Sequence, residues 1–441
     1  MRIILFIMSI HVSTLIFGQD YTAYLTGQSS DTITQAGGGI CLMGGATESD
    51  EAMQWFLNRA NGGDVLILRA SGSDGYNDYF YSELGINLNS VETIVFENAI
   101  ASSDSYIHQK ITQAEAIWFA GGDQSKYISF WKGTPIQTLI NEAIKNRNIV
   151  IGGTSAGMAI LGEYYFSAAN GTISSDEALA NPYNEKVTID STAFLDLPAL
   201  RSVITDTHYD DRQRKGRHIV FLSRVIKDFN ASPMGIACDE YTAVCVDENN
   251  HAYVFGDYPT YDDNAYFITA NCNLSGNTPE ICEPEKPLTW NKNASALMVY
   301  RIKGTIQGEN FIKLDDWNVN AGGEWFYWSV ENGSVSEYIA DDHNCSTSTS
   351  VLEDLQWSQN KPTVQLFPNP TFDSIEIKSE EFPINRVDIV DSTWKVVLSK
   401  RFKNATLKKI NISSIPSGKY TALIYNKHFP WAIDFVKIEG E

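Results

Sequence analysis

With 441 residues, 43% of them hydrophobic and 20% charged, the chain has enough apolar material for two or three folded domains and is no low-complexity polypeptide. A formal net charge of −21 argues against nucleic acid or an anionic membrane surface as a partner. Six cysteines without a C-x-x-C pair argue against structural zinc, and nothing in the pattern calls for a metal or cofactor.

Met1 to Gln19 reads as an export signal: Arg2 is followed by an apolar run, Ile3 to Phe17, too short and interrupted to span a membrane. The mature chain is expected to be soluble and exported. After a polar lead-in, residues 37–45 predict a short buried strand ending in glycines. Ser49 then caps a helix with Asp50 and Glu51 in its first turn and Met53, Phe56, Leu57 and Ala60 on one face. Residues 64–68, 93–96 and 116–120 read as further buried strands, the last running into Gly121-Gly122-Asp123-Gln124. Thr134-Pro135 opens another amphipathic helix. Short, continuously apolar strands alternating with such helices predict a parallel sheet covered on both faces, with ligands at the carboxyl ends of its strands.

At one such end stands Gly153-Thr154-Ser155-Ala156-Gly157, between an apolar strand (149–151) and an expected helix from Ala156 to Phe166. A G-x-S-x-G turn projects its serine from the strand tip, and backbone N–H groups at the helix start face a developing oxyanion. A serine nucleophile needs a base and an acid to orient it. Beyond the signal the histidines are His108, His208, His218, His251, His343 and His428. His208 stands out, following apolar Val203-Ile204 and preceding a basic cluster; Glu240, Asp239, Asp206 and Asp210 are all eligible as the acid.

From Cys238 the pattern turns β-rich, with a hairpin expected around Asp247 to Asn250. The aromatic, acidic segments 258–266 and 317–328 suit packing better than sugar or calcium binding. Cys41, Cys238 and Cys245 read as buried thiols or close-packed pairs, Cys272 and Cys282 as the best disulfide candidates, and Cys345 has no evident partner. A polar stretch then leads into residues 361–441, where 12 Lys/Arg outnumber 9 Asp/Glu, leaving −24 on the chain before it. Alternating strands there predict a small β-sandwich.

The segments Gly121-Gly122-Asp123-Gln124, Gly152 to Gly157, His208-x-x-x-Arg212-x-Arg214-x-x-Arg217 and Asp239-Glu240-x-Thr242-Ala243 resemble, in this order, the cyanophycinase-like serine peptidases, a family that includes aspartyl dipeptidase. The resemblance spans roughly residues 36–300. It implies a three-layer α/β/α sandwich, glutamine-amidotransferase-like, with Ser155 as nucleophile, His208 as base and Glu240 as acid. It further implies an oxyanion hole from the Gly122 and Ala156 N–H groups and substrate contacts from Gln124, Arg212, Arg214 and Arg217. Cyanophycinase releases β-Asp-Arg dipeptides from cyanophycin, so the expected substrate is an Asp/Arg-rich peptide or isopeptide. The expected route is an acyl-enzyme, and homodimers are common in the family. Aspartyl dipeptidase activity and an inactive surface-binding protein are the alternatives. Thr207, where the family often has glutamine, and the bulky 158–166 segment depart from the pattern.

The tail has its own resemblance. Leu366-Phe367-Pro368-Asn369-Pro370, Pro416-Ser417-Gly418-Lys419-Tyr420 and Phe435-Val436-Lys437-Ile438 resemble the sorting domain of the type IX secretion system, which implies that machinery as a partner and a secreted or cell-surface location. The expected division is signal 1–19, catalytic domain 20–343, linker 344–361 and sorting domain 362–441.

Overall fold

The computed structural model describes residues 20–340 and 364–438, except 380–383, 392–395, 406 and 426–429. The expected signal, most of the expected linker, and Cys345, His343 and His428 lie outside these residues. The chain divides into two compact units, residues 1–349 and 350–441.

In the first unit β1 (Tyr21–Gly27), β2 (Ile40–Met43), α1 (Asp50–Asn58), β3 (Asp64–Arg69), α2 (Gly75–Asp78) and β4 (Ser90–Phe96) come first. They are followed by α3 (Ser105–Gln113), β5 (Ala116–Phe119), α4 (Gln124–Trp131), α5 (Pro135–Arg147), β6 (Val150–Thr154) and α6 (Ala156–Ala159). Strands β4, β3, β5, β6 and β2 lie side by side and parallel, as their apolar runs predict. Ser49 caps α1 through the Ala52 N–H, and Thr134 caps α5 through that of Ile136. β1, the polar lead-in, is an antiparallel edge strand on β4; its half-exposed residues carry no buried stripe that would announce it.

Helix α1 packs Met53, Phe56 and Leu57 on one face of this sheet with Val65, Ile67 and Trp118. Helices α3, α4 and α5 pack Ile107, Trp131 and Ile140 on the other. That is the expected α/β/α arrangement, and the structure adds to it. After β7 (Tyr165–Phe166), α7 (Ser175–Ala180) and β8 (Ile189–Asp190) come β9 (Val203–Asp206), α8 (Lys215–Phe229) and β10 (Met234–Cys238). The chain continues as β11 (Ala243–Val246), β12 (His251–Tyr258), β13 (Asn264–Ala270), β14 (Leu297–Lys303), β15 (Asn310–Lys313), β16 (Asp316–Ala321), β17 (Gly323–Glu331) and β18 (Ser334–Ile339). Strands β11, β12, β15 and β16 extend the first sheet antiparallel from β2 to ten strands. Strands β7 and β8 pair only with each other, and the rest form a second sheet in the order β18-β17-β14-β13-β10-β9. Its Ile236, Phe267 and Met298 share a core with Leu42, Val244 and Val254 of the first, while Ala237, Ile268 and Val299 face Ile219 and Val220 of α8. Half of the unit therefore has four layers. The site is assembled where the two sheets meet.

Two expectations are corrected. The helix predicted for Ala156 to Phe166 stops at Ala159. Beyond it the chain turns back so that Tyr164 bridges Ile204, and a Cβ on Gly162 would lie 2.6 Å from the Val203 carbonyl oxygen. Pairing with β9 outweighs local helix propensity. Cys282 is a buried free thiol whereas Cys272 is disulfide-bonded, so these two are not joined. Cys41 and Cys245, facing each other across β2 and β11 with sulfurs 3.6 Å apart, are free. Trp317, Trp325 and Trp328 are core residues, which accounts for the aromatic segment as packing.

The second unit is a two-sheet arrangement of β19 (Val364–Phe367), β20 (Ser374–Ser379), β21 (Ile384–Val390), β22 (Val396–Ala405), β23 (Leu407–Asn411), β24 (Gly418–Tyr425) and β25 (Pro430–Lys437). The orders are β19-β20-β23 and β22-β21-β24-β25. Ile375, Ile377 and Ile410 of one sheet share a core with Val387, Ile389, Ile424 and Phe435 of the other. The predicted sandwich is present.

Candidate active site

Strand β6 delivers Ser155 at its tip, with φ +52° and ψ −113°. Such a backbone costs a non-glycine residue about 1–3 kcal/mol and persists only where its surroundings impose it. The neighbouring glycines allow that: a Cβ on Gly153 would lie 2.6 Å from Gly157, and one on Gly157 would lie 2.0 Å from the Phe119 carbonyl oxygen. The Ser155 N–H donates to Met43 O at 3.1 Å, tying the turn to β2.

His208 follows β9 and has φ +46°. Its N–H donates to Gly44 O at 2.9 Å, which brings it from the second sheet across the end of β2. The Ser155 hydroxyl lies 2.8 Å from His208 Nε2, and His208 Nδ1 lies 2.5 Å from Glu240 Oε1. With Nδ1 protonated and facing the carboxylate, Nε2 is left as the acceptor for the serine proton. Burial lowers the imidazole pKa; the Glu240 hydrogen bond raises it, and the Arg212 and Arg214 charges lower it further, for a net fall below 6.5. A neutral imidazole at neutral pH is the form a base requires.

Of the four carboxylates eligible from sequence, the structure brings Glu240 to His208. Glu240 sits on the turn after β10, which Tyr241 continues at φ +61°, and its own N–H donates to Asp210 Oδ1 at 3.0 Å. Asp239 turns inward to Asn264, whose backbone N–H donates at 3.1 Å and side-chain amide at 3.0 Å. Burial raises its pKa to about 7. Asp206 is committed to arginine, as described next.

The arginine run divides into two residues bonded within the fold and one that is exposed. Arg217, 3% exposed, binds Asp206 through Nε at 2.8 Å and Nη2 at 2.5 Å, with its guanidinium 5.3 Å from the Phe166 ring centroid. Burial opposes ionisation of Asp206, but the charges of Arg217 and Arg214 bring its pKa below 3.8. Arg214 Nη1 donates to Thr207 O at 2.8 Å and Thr207 Oγ1 at 3.0 Å. Thr207, the departure from the family pattern, is thus part of the anchor that holds His208. Arg214 and Arg217 build the loop that carries His208. Arg212 is exposed and has no ion pair among the described residues.

Beside Ser155, β5 ends in Gly121-Gly122; a Cβ on Gly121 would lie 3.6 Å from Ser155 Cβ. Gly122 has φ +154° and is exposed. The Tyr127 hydroxyl, buried on α4, lies 2.9 Å from both Ala120 O and Gly121 O. Because the peptide is trans, a Gly121 carbonyl held on the Tyr127 side puts the Gly122 N–H on the opposite side. Ala156 opens α6, where an N–H has no intrahelical partner. As α6 is a single turn, it offers individual N–H groups and not a helix dipole. Gln124, half-buried at the start of α4, reaches towards Phe166 O at 3.5 Å. Sequence reading missed Tyr127, whose only local signal is its place one turn after Gln124.

The family model described as peptidase family S51 matches residues 36–252, which contain Ser155, His208 and Glu240. The S51 region is 25% identical over 228 residues to the cyanophycinase of Geminocystis herdmanii, covering 49% of this chain and 77% of that protein. It is 21% identical over 227 residues to the cyanophycinase of Trichormus variabilis, covering 49% and 70%. Among solved structures, a peptidase from an acI-B1 Actinobacterium is similar with a TM-score of 0.38 at 16% identity, over 51% of this chain and 89% of that one. A secretion system C-terminal sorting domain matches residues 365–431. The chain thus joins a region that matches peptidase family S51 to a sorting domain that indicates type IX secretion to the cell surface or outside.

Proposed function

We propose that the S51 domain is a serine-type exopeptidase that hydrolyses Asp/Arg-rich peptide or isopeptide bonds, as cyanophycinases do, through an acyl-enzyme. The observation that carries this reading is the unbroken chain from Ser155 to His208 to Glu240, at 2.8 and 2.5 Å. Ser155 Oγ attacks the scissile carbonyl carbon while His208 Nε2 takes its proton. Glu240 holds the resulting imidazolium. The Gly122 and Ala156 N–H groups receive the oxyanion, each such donor being worth about 2.7–4 kcal/mol in comparable sites. His208 returns the proton to the leaving nitrogen, and water, deprotonated by the same imidazole, releases the acid. Exposed Arg212, one turn of backbone from His208, whose carbonyl accepts its N–H at 3.3 Å, suits a substrate carboxylate.

The test is incubation of the secreted protein with purified cyanophycin and mass-spectrometric detection of dipeptides. Release of β-Asp-Arg, absent with Ser155→Ala, is expected. Cleavage of other isoaspartyl peptides with cyanophycin left intact would keep the mechanism and replace the substrate.

A further inference from the structure

The loop after β2 passes both reacting side chains. Gly45 packs on the imidazole, where a Cβ would lie 2.4 Å from His208 Cε1, and the loop then runs to Glu48 just before α1. The Glu48 carboxylate accepts a hydrogen bond from the Tyr76 hydroxyl and lies by Thr154, the residue preceding Ser155. Burial raises its pKa.

Three fully buried carboxylates of this unit meet a cation, Asp206 with Arg217, Glu92 with Lys110 and Glu115 with Arg147, whereas buried Asp239 is held by neutral donors from Asn264 and half-buried Glu48 by hydrogen bonds. Glu48 has no ion pair among the described residues. The basic side chain on this flank, Arg69, is spent on its own loop, donating to Ser71 O at 2.5 Å and Ser73 O at 2.7 Å. Two buried polar groups turn to this pair short of full hydrogen-bond geometry: Thr154 Oγ1 faces Glu48 and Trp118 Nε1 faces Tyr76, 4% and 0% exposed by residue. Tyr79, hydrogen-bonded to Asp50 at 2.7 Å, adds a second ring and a second carboxylate to the same flank. A half-buried carboxylate held only by neutral donors is stabilised when a cation reaches it. Tyrosine faces favour the same kind of guest.

We propose that Glu48, oriented by Tyr76, is the counter-charge for a cationic group on the substrate, an ammonium or guanidinium carried on its acyl side. The proposal rests on Ser155 being the nucleophile. It makes Glu48 a specificity residue: the substrate's positive charge supplies the missing partner and draws the scissile carbonyl towards Gly122.

Serine-directed diphenyl phosphonates test it, since attack by Ser155 Oγ forms the O–P bond and expels phenol, its proton passing through His208. Three probes separate the sources of charge: an N-acetylated probe with a guanidinium side chain, a free-amine probe with a neutral side chain, and an N-acetylated neutral probe. One of the cationic probes is expected to inactivate the wild type roughly 10–100-fold faster than the neutral one, the range for a charged hydrogen bond. Which of the two wins identifies guanidinium or ammonium. In Glu48→Gln that ratio is expected to fall to near one, and in Tyr76→Phe to an intermediate value. Equal rates in the wild type, which need no variant to fold, would overturn the proposal, as would an unchanged ratio in a folded Glu48→Gln. No reaction with any probe, the neutral one included, would remove the nucleophile and this proposal with it.

Discussion

Ser155 and His208 both occupy left-handed backbone at the ends of strands from different sheets, and their meeting depends on a few polar anchors. Tyr127 is one of these. Tyr127→Phe frees the Gly121 carbonyl and lets the Gly122 peptide rotate, so kcat is expected to fall about tenfold with KM little changed, less than outright loss of an oxyanion donor. Steady-state kinetics on any cleaved peptide checks this split. The depressed pKa of His208, due first to burial and then to Arg212 and Arg214, gives a second expectation. The free enzyme needs neutral imidazole, so kcat/KM is expected to fall only as pH drops through a midpoint below 6.5. Arg212→Gln removes a positive charge and is expected to move that midpoint upward. The same depression means that the unfolded chain binds more protons below pH 6.5, so stability declines as pH falls from there.

At the scale of elements, the loop between β9 and α8 stands on the Asp206–Arg217 pair. Arg217→Ala leaves the buried Asp206 carboxylate with only Arg214, at 3.8 Å, and a loss of about 3 kcal/mol is expected in denaturant titration. Because Asp206 titrates below 3.8, the pair's contribution is present above that pH and lost as pH falls through the folded value. The parallel strands were legible because Val65 to Leu68 and Ile117 to Phe119, buried on both sheet faces, are apolar without alternation. The serine turn was legible because only glycine fits at 153 and 157. The second sheet was not, because β9 pairs with β10 across an intervening helix and nothing local in Val203 to Asp206 marks its partner. For the same reason spacing alone left four candidate acids and did not separate Arg214 and Arg217, which serve Thr207 and Asp206, from the exposed Arg212. In the sorting domain, distant motifs converge: Asn369 Oδ1 accepts the Val436 N–H at 3.0 Å, Lys437 Nζ donates to Ile415 O at 2.5 Å, and the Tyr420 hydroxyl donates to Pro416 O at 2.8 Å. Short motifs far apart in sequence were legible because the sandwich joins them.

The molecule divides into two compact units, and the charge lies almost wholly on the first, −22 over residues 1–349 against +1 over 350–441. A chain ended at residue 349 is expected to keep the melting temperature of the first unit within a few degrees and to keep Ser155 reactive, while failing to leave the cell by the type IX route. Calorimetry and cell fractionation check the two halves of that expectation. The central claim is that Ser155 is a nucleophile activated by His208, and the most direct measurement is covalent labelling of the intact protein by a neutral fluorophosphonate, followed by peptide mapping, beside Ser155→Ala and His208→Ala. Modification at Ser155 alone, abolished by the first substitution and slowed at least a hundredfold by the second, is the predicted result. Labelling that persists in Ser155→Ala, or that is indifferent to His208, would contradict it.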